Sequence, residues 1–153
     1  MAYSTQAQIE SAITAERVLE LVDDEDTGAE TALTIARITE CIRTADGEID
    51  GYIQARYSVP VAAPVGSMVN VISIALAIYY LHRRRMGAFG IPEAIADDYL
   101  MRVKQLEKIN NGRLDLGTEP PPTNSSKVGA TSSGPTKLFT SRSSSGTGTM
   151  GEF

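Results

Sequence analysis

The chain carries a single cysteine, Cys41, and a single histidine, His82. One cysteine closes no internal disulfide, and the flanking Ile38, Ile42 and Ala45 predict a buried helix interior around it. One histidine, set in the run His82-Arg83-Arg84-Arg85, supports neither a Ser-His-Asp nor a Cys-His arrangement. Together the two give no metal-ligand spacing. No GxxxxGKS or GxxxxGKT string is present, so no phosphate loop is expected. These absences predict a protein that is not an enzyme and uses no cofactor or metal.

Long hydrophobic runs are missing as well. The most apolar stretch, Val69 to Leu81, contains Asn70 and Ser73 and falls short of the roughly 20 residues that span a bilayer, so it predicts a buried helix and no membrane partner. The opening Met1 to Gln6 has no basic stretch followed by an apolar run; no secretory signal is expected, and synthesis and retention in a cytoplasm are. The net charge of -5 argues against wholesale coating of nucleic acid while leaving room for a local basic patch.

What is present falls into two parts: residues 1–112 with helical patterning, and residues 113–153 rich in Ser, Thr, Gly and Pro. The first part is long enough to bury a core of its own. Thr5 is placed to cap a short helix through Ile13, and Thr14 to open a second that carries Val18, Leu19 and Val22. The acidic run Asp23 to Gly28 ends that pattern. It is a poor calcium loop, because position twelve counted from Asp23 is Thr34, and it predicts a solvated connecting turn. From Ala29 to about Arg56 apolar residues recur at three and four, which predicts a long amphipathic helix. Pro60 and Pro64 then force a loop.

Ser67 is placed to cap a helix that is apolar on nearly every side, the pattern of a bundle centre, and that ends on His82-Arg83-Arg84-Arg85. A last helix opens with Pro92 in its first turn and closes at Asn110-Asn111-Gly112. The fold expected is all-α, a small bundle of four or five helices with an extended, low-complexity C-terminal arm. Leu138, Phe139, Met150 and Phe153 set isolated apolar anchors in that arm, which suits a strap docking on another chain.

Several residues in the helical part are candidates for contact. Glu48 and Asp50 stand two apart on a helix and point to different sides, toward solvent or a neighbouring subunit. Gly51 inside a strong helix costs about 1 kcal/mol relative to Ala, which fits close packing against a neighbouring helix or chain. Tyr52 and Tyr57 can bury a ring and keep a hydroxyl at an edge, at an interface or inside the chain. Arg83, Arg84 and Arg85 fit either helix-end capping with salt bridges or a phosphate contact. The second use keeps a small helical DNA-binding or regulatory protein in view as an alternative function.

The segment Ala45-Asp46-Gly47-Glu48-Ile49-Asp50-Gly51-Tyr52-Ile53-Gln54-Ala55-Arg56-Tyr57-Ser58-Val59-Pro60-Val61 resembles the central signature of the small head-tail connector proteins of Mu-like phages and prophages. The opening Met1 to Gln6, the acidic turn with Thr27-Gly28, and the stretches Lys137 to Arg142 and Met150 to Phe153 are similar to that family too. The resemblance implies a virion structural protein at the neck, a closed ring of roughly a dozen copies below the portal that extends the DNA channel. It implies the portal and the tail or tail-terminator proteins as partners, with transient contact to packaged DNA. Glu48, Asp50, Gly51, Tyr52, Arg56, Tyr57, Leu138, Phe139, Met150 and Phe153 are then the candidates for subunit or portal contact, and Arg83 to Arg85 for the channel. The acidic turn, where the family often has a basic residue, and a longer Ser/Thr/Gly insertion before Met150 are departures from the pattern.

Overall fold

The computed structural model describes residues 2–62, 66–85 and 90–116. Among them the chain forms five helices and no strand: α1 (Gln6–Ile13), α2 (Ala15–Val22), α3 (Ala32–Ile53), α4 (Ser67–Arg84) and α5 (Glu93–Asn110). The all-α bundle expected from the patterning is therefore observed. Leu138, Phe139, Met150 and Phe153 lie outside the described residues, with all of 117–153.

Local chemistry explains most boundaries. Thr5 caps α1 reciprocally: its Oγ1 accepts from the Gln8 amide at 3.4 Å, and Gln8 Oε1 accepts from the Thr5 amide at 3.0 Å. Thr14 both ends α1 and caps α2, with Oγ1 accepting from the Arg17 amide at 3.4 Å. Its φ of 74° is a conformation that costs a non-glycine residue about 1–3 kcal/mol, and it breaks the helix pair where expected. The long helix α3 begins at Ala32 instead of Ala29, because Asp26 and Gly28 take left-handed conformations and Thr31 and Thr34 form the capping pair. It stops at Ile53, and residues 54–56 form a turn instead of further helix. The Val59–Pro60 peptide in the following loop is cis.

Two expected caps differ. Gly66, not Ser67, holds the cap position of α4, and Ser67 is its first helical residue. Pro92 likewise stands at the cap of α5, leaving Glu93 to open the first turn. At the other end Asn111 caps and Gly112, at φ 72°, makes the left-handed exit.

Helix α4 packs against all four other helices, the central place its all-round apolar pattern predicts. Its Val69, Ile72, Leu76 and Leu81 meet Ile9, Val18, Leu21 and Val22 from α1 and α2, Ile38, Ile49 and Ile53 from α3, and Leu106 and Ile109 from α5 in one buried cluster. Each such side chain contributes about 1.5–3 kcal/mol by leaving water. Cys41 is buried as expected, and burial pushes its thiol up to about 11. His82 is 3% exposed, and its Nδ1 donates to the Ile78 carbonyl at 3.0 Å.

Candidate assembly surfaces and the signature segment

The signature segment lies on the second half of α3 and the turn after it, and its Asp46, Asp50, Arg56 and Tyr57 hold Tyr3 on one side and Ile109 to Leu116 on the other. Asp46 is buried, and its carboxylate accepts from the Tyr3 amide at 3.0 Å and from Ser73 Oγ at 2.7 Å. Ser4 Oγ lies 2.8 Å from Ser73 Oγ and, with the Ser73 proton used on Asp46, is the donor there. Tyr3 is threaded further: its hydroxyl donates to Asp50 and accepts from the Val61 amide at 2.8 Å, while its carbonyl accepts from Asn70 Nδ2 at 2.6 Å. Burial raises the Asp46 pKa against the opposing pull of Ser73 and the Tyr3 amide. Burial and the hydrogen bond to Asp50 raise the Tyr3 hydroxyl above the ordinary tyrosine range.

Sequence reasoning missed Tyr3, Asp46 and Ser73. A signal was there: Asp46 sits among the apolar positions Ile42, Ala45 and Ile49, and Ser73 interrupts an apolar helix, so each needs a buried partner.

Glu48 faces the opposite way from Asp50, as their spacing predicts, but within the chain it meets tyrosines. Tyr80 Oη and Tyr99 Oη donate to its two oxygens at 2.7 and 2.9 Å. The Tyr99 ring stacks on Tyr79 at 4.0 Å between centroids, and Tyr52 is half-buried against the core. Burial, then the hydrogen bond to Glu48, pushes Tyr99 up to about 12.

The end of the segment secures the end of the last helix. Arg56 Nη1 donates to the Ile109 carbonyl at 2.9 Å, and its guanidinium lies 5.6 Å from the Tyr57 ring centroid. Tyr57 is buried; its hydroxyl donates to Asp115 at 3.2 Å and accepts from the Leu116 amide at 3.3 Å. Gly51 behaves differently. A Cβ built there, or at Gly47 one turn earlier, would have no heavy atom within 4 Å, so no helix among the described residues uses the gap and they leave that face of α3 open.

The acidic turn is only partly solvated. Asp23 is buried and accepts from the Gly28 amide at 2.7 Å, from Thr27 Oγ1 at 3.2 Å and from the Glu25 amide at 3.3 Å, and these backbone donors, Gly28 first, lower its pKa. Asp24 receives Arg84 in a two-pronged pair at 2.6 and 2.7 Å, with Arg37 at 3.4 Å and Arg85 at 3.7 Å, and the Arg84 hydrogen bond leads in lowering its pKa. Arg85 also donates to the Glu20 carbonyl. The basic run thus divides: Arg84 and Arg85 lock α4 to the turn after α2, while Arg83 is exposed over the Tyr80 ring, 5.9 Å from its centroid. Among the described residues no group of three His, Cys, Asp or Glu side chains could hold a metal ion, and no helix is long and apolar enough to cross a membrane.

A family model described as Bacteriophage Mu, Gp36 matches residues 3–133. The chain belongs to this family. The match begins at Tyr3, the residue whose amide, carbonyl and hydroxyl are all bonded to α3, α4 and the loop between them. It also contains every residue of the signature segment and the arginine run. The Gp36-family chain is accordingly a Mu-like phage protein. No curated protein matches it.

Proposed function

We propose that this Gp36-family chain is a virion structural protein without catalytic activity, a head-tail connector that forms a ring between portal and tail and extends the DNA channel. The carrying observation is that Asp46 and Asp50 of α3 hold Tyr3, and Arg56 and Tyr57 in the turn after it hold Ile109 and Asp115, leaving a braced bundle with open faces. A ring subunit under DNA-packaging load needs such bracing. The open face at Gly47 and Gly51, and Arg83 at the end of α4, are the surfaces available to a neighbour and to DNA. Residence in the virion neck, with the portal and tail proteins as partners, follows from the same reading.

The alternative, a DNA-binding or regulatory protein, draws on Arg83 to Arg85. It is the weaker reading because Arg84 and Arg85 are held by Asp24 and the Glu20 carbonyl, and one free phosphate contact gives a salt slope of only about -0.9. The test is negative-stain imaging with mass determination of the full chain, alone and with its portal. Rings, or collars formed on the portal, are expected; a monomer that ignores the portal and binds duplex DNA with a steep salt dependence would replace the connector by the alternative.

A further inference from the structure

We propose that the cavity between the first half of α3 and the end of α4 is an oxyanion site that takes one phosphate group, free or carried on a nucleic-acid backbone. The cavity holds about 430 Å³ and lies between Arg37 and Cys41 of α3 and Tyr80, Arg83 and Arg84 of α4. That volume falls inside the roughly 300–1,000 Å³ of ligand pockets, and exposed Arg83 and Glu40 stand at its edge. The site is a feature of the single subunit and does not depend on the connector reading.

Charge selects the ligand. Three guanidiniums line the cavity against one carboxylate, Glu40, and Arg43 takes that carboxylate in a two-pronged pair at 2.6 and 2.9 Å. Behind the lining, the single carboxylate of Asp24 is shared by Arg37, Arg84 and Arg85. Glu48 meets the Tyr80 hydroxyl at 2.7 Å and is not part of the lining. Glu16, Glu20, Asp23 and Asp26 line a different cavity, with Arg85. The carbonyl end of α4 adds roughly half a negative charge, too little to balance Arg83.

The donors are also held ready. Arg83 makes no hydrogen bond or ion pair with the described residues. Its guanidinium lies over the Tyr80 ring, a contact that orients it while using none of its N–H groups. Arg37 is fixed by the Val22 carbonyl at 2.7 Å and Arg84 by the Leu21 carbonyl at 3.1 Å, beside their bonds to Asp24. Both side chains are about three-quarters buried, so less water screens their charge. Cys41 remains a neutral thiol and brings no competing anion. Planar guanidinium forks around one cavity match the oxygens of a phosphate.

Thermal unfolding and titration calorimetry of the full chain with inorganic phosphate, against sodium chloride at equal ionic strength, test the site. Phosphate stabilises folded chains generally by exclusion from their surface, so the comparison is between wild type and Arg83→Gln. That variant sits at an exposed position with no bond to lose and is expected to fold as the wild type does. It should bind phosphate about tenfold more weakly and lose the site-specific part of the stabilisation. A short duplex that displaces phosphate from the wild type, and itself binds Arg83→Gln more weakly, would assign the phosphate to a nucleic-acid backbone; a duplex without effect would assign it to free phosphate. Equal phosphate binding by the two chains would overturn the site. Acetate binding as well as phosphate does would overturn it too, giving the cavity to an acidic side chain of a protein partner.

Discussion

Arg56 donates to the carbonyl of Ile109 across 53 residues, so the turn that ends α3 closes the C-terminus of α5. A Cβ on Gly112 would stand 3.1 Å from Arg56 Nη1, and Gly112 also holds φ at 72°. Arg56→Ala is expected to lower stability by about 1–2 kcal/mol, the range for a partly exposed charged donor to a carbonyl. Gly112→Ala should cost a similar ~1–2 kcal/mol through left-handed strain and displacement of the guanidinium. Urea unfolding measures both, and the double variant should fall short of additivity, because both changes act on one contact.

Asp46 sets an acid-range signature. Its folded pKa is raised, so between the ordinary carboxylate value and that raised value the folded state holds a proton the unfolded state has lost. Stability contributed at this site is therefore full below the unfolded pKa and declines as pH rises through the folded one. Asp46→Asn should remove this decline: the stability difference between variant and wild type should change as pH rises above the ordinary carboxylate value, in the direction that favours the variant at the higher pH. Asp23 and Asp24, with lowered values, work oppositely, their contributions fading as pH falls. A difference curve that stays flat would contradict the raised pKa.

The arginine run should separate by function. Arg84→Ala is expected to destabilise by about 1 kcal/mol, a modest figure because Asp24 and Arg84 are both partly exposed. Arg83→Ala should leave stability within about 0.5 kcal/mol. If DNA passes this helix end, Arg83→Ala alone will reduce DNA retention by assembled particles without loosening the subunit. Thermal unfolding and a DNA-release assay on the same two variants distinguish these roles.

Gly51→Ala should make the isolated subunit more stable by up to about 1 kcal/mol, because the helix gains propensity and the new methyl meets open space. If a neighbouring chain packs closely on that face, the same substitution will impair assembly. A stabilised subunit with defective assembly would mark the face as an interface; a stabilised subunit that assembles normally would assign the glycine no contact role.

Helix number, the central place of α4 and the break at Thr14 were legible because they rest on short-range signals: apolar spacing, threonines able to cap, and prolines. Starts and stops were less so. Ala29 and Glu30 look helical by composition, yet Gly28 and the Thr31–Thr34 pair delay α3, a matter of backbone conformation rather than hydrophobic pattern. The contact candidates were harder still. Glu48, Asp50, Arg56 and Tyr57 stand out in the sequence, but their partners Tyr80, Tyr99, Tyr3, Ile109 and Asp115 lie 32 to 58 residues away in the chain. One sequence carries no information on such pairings, whereas it does show that a charged residue among apolar ones needs some partner.

The Tyr57 hydroxyl, donating to Asp115 and accepting from the Leu116 amide, is a latch on the chain that follows α5. Tyr57→Phe would loosen residues 115 and 116 while Arg56 still closes the helix itself, so the two neighbours in the turn after α3 guard successive stretches of one exit.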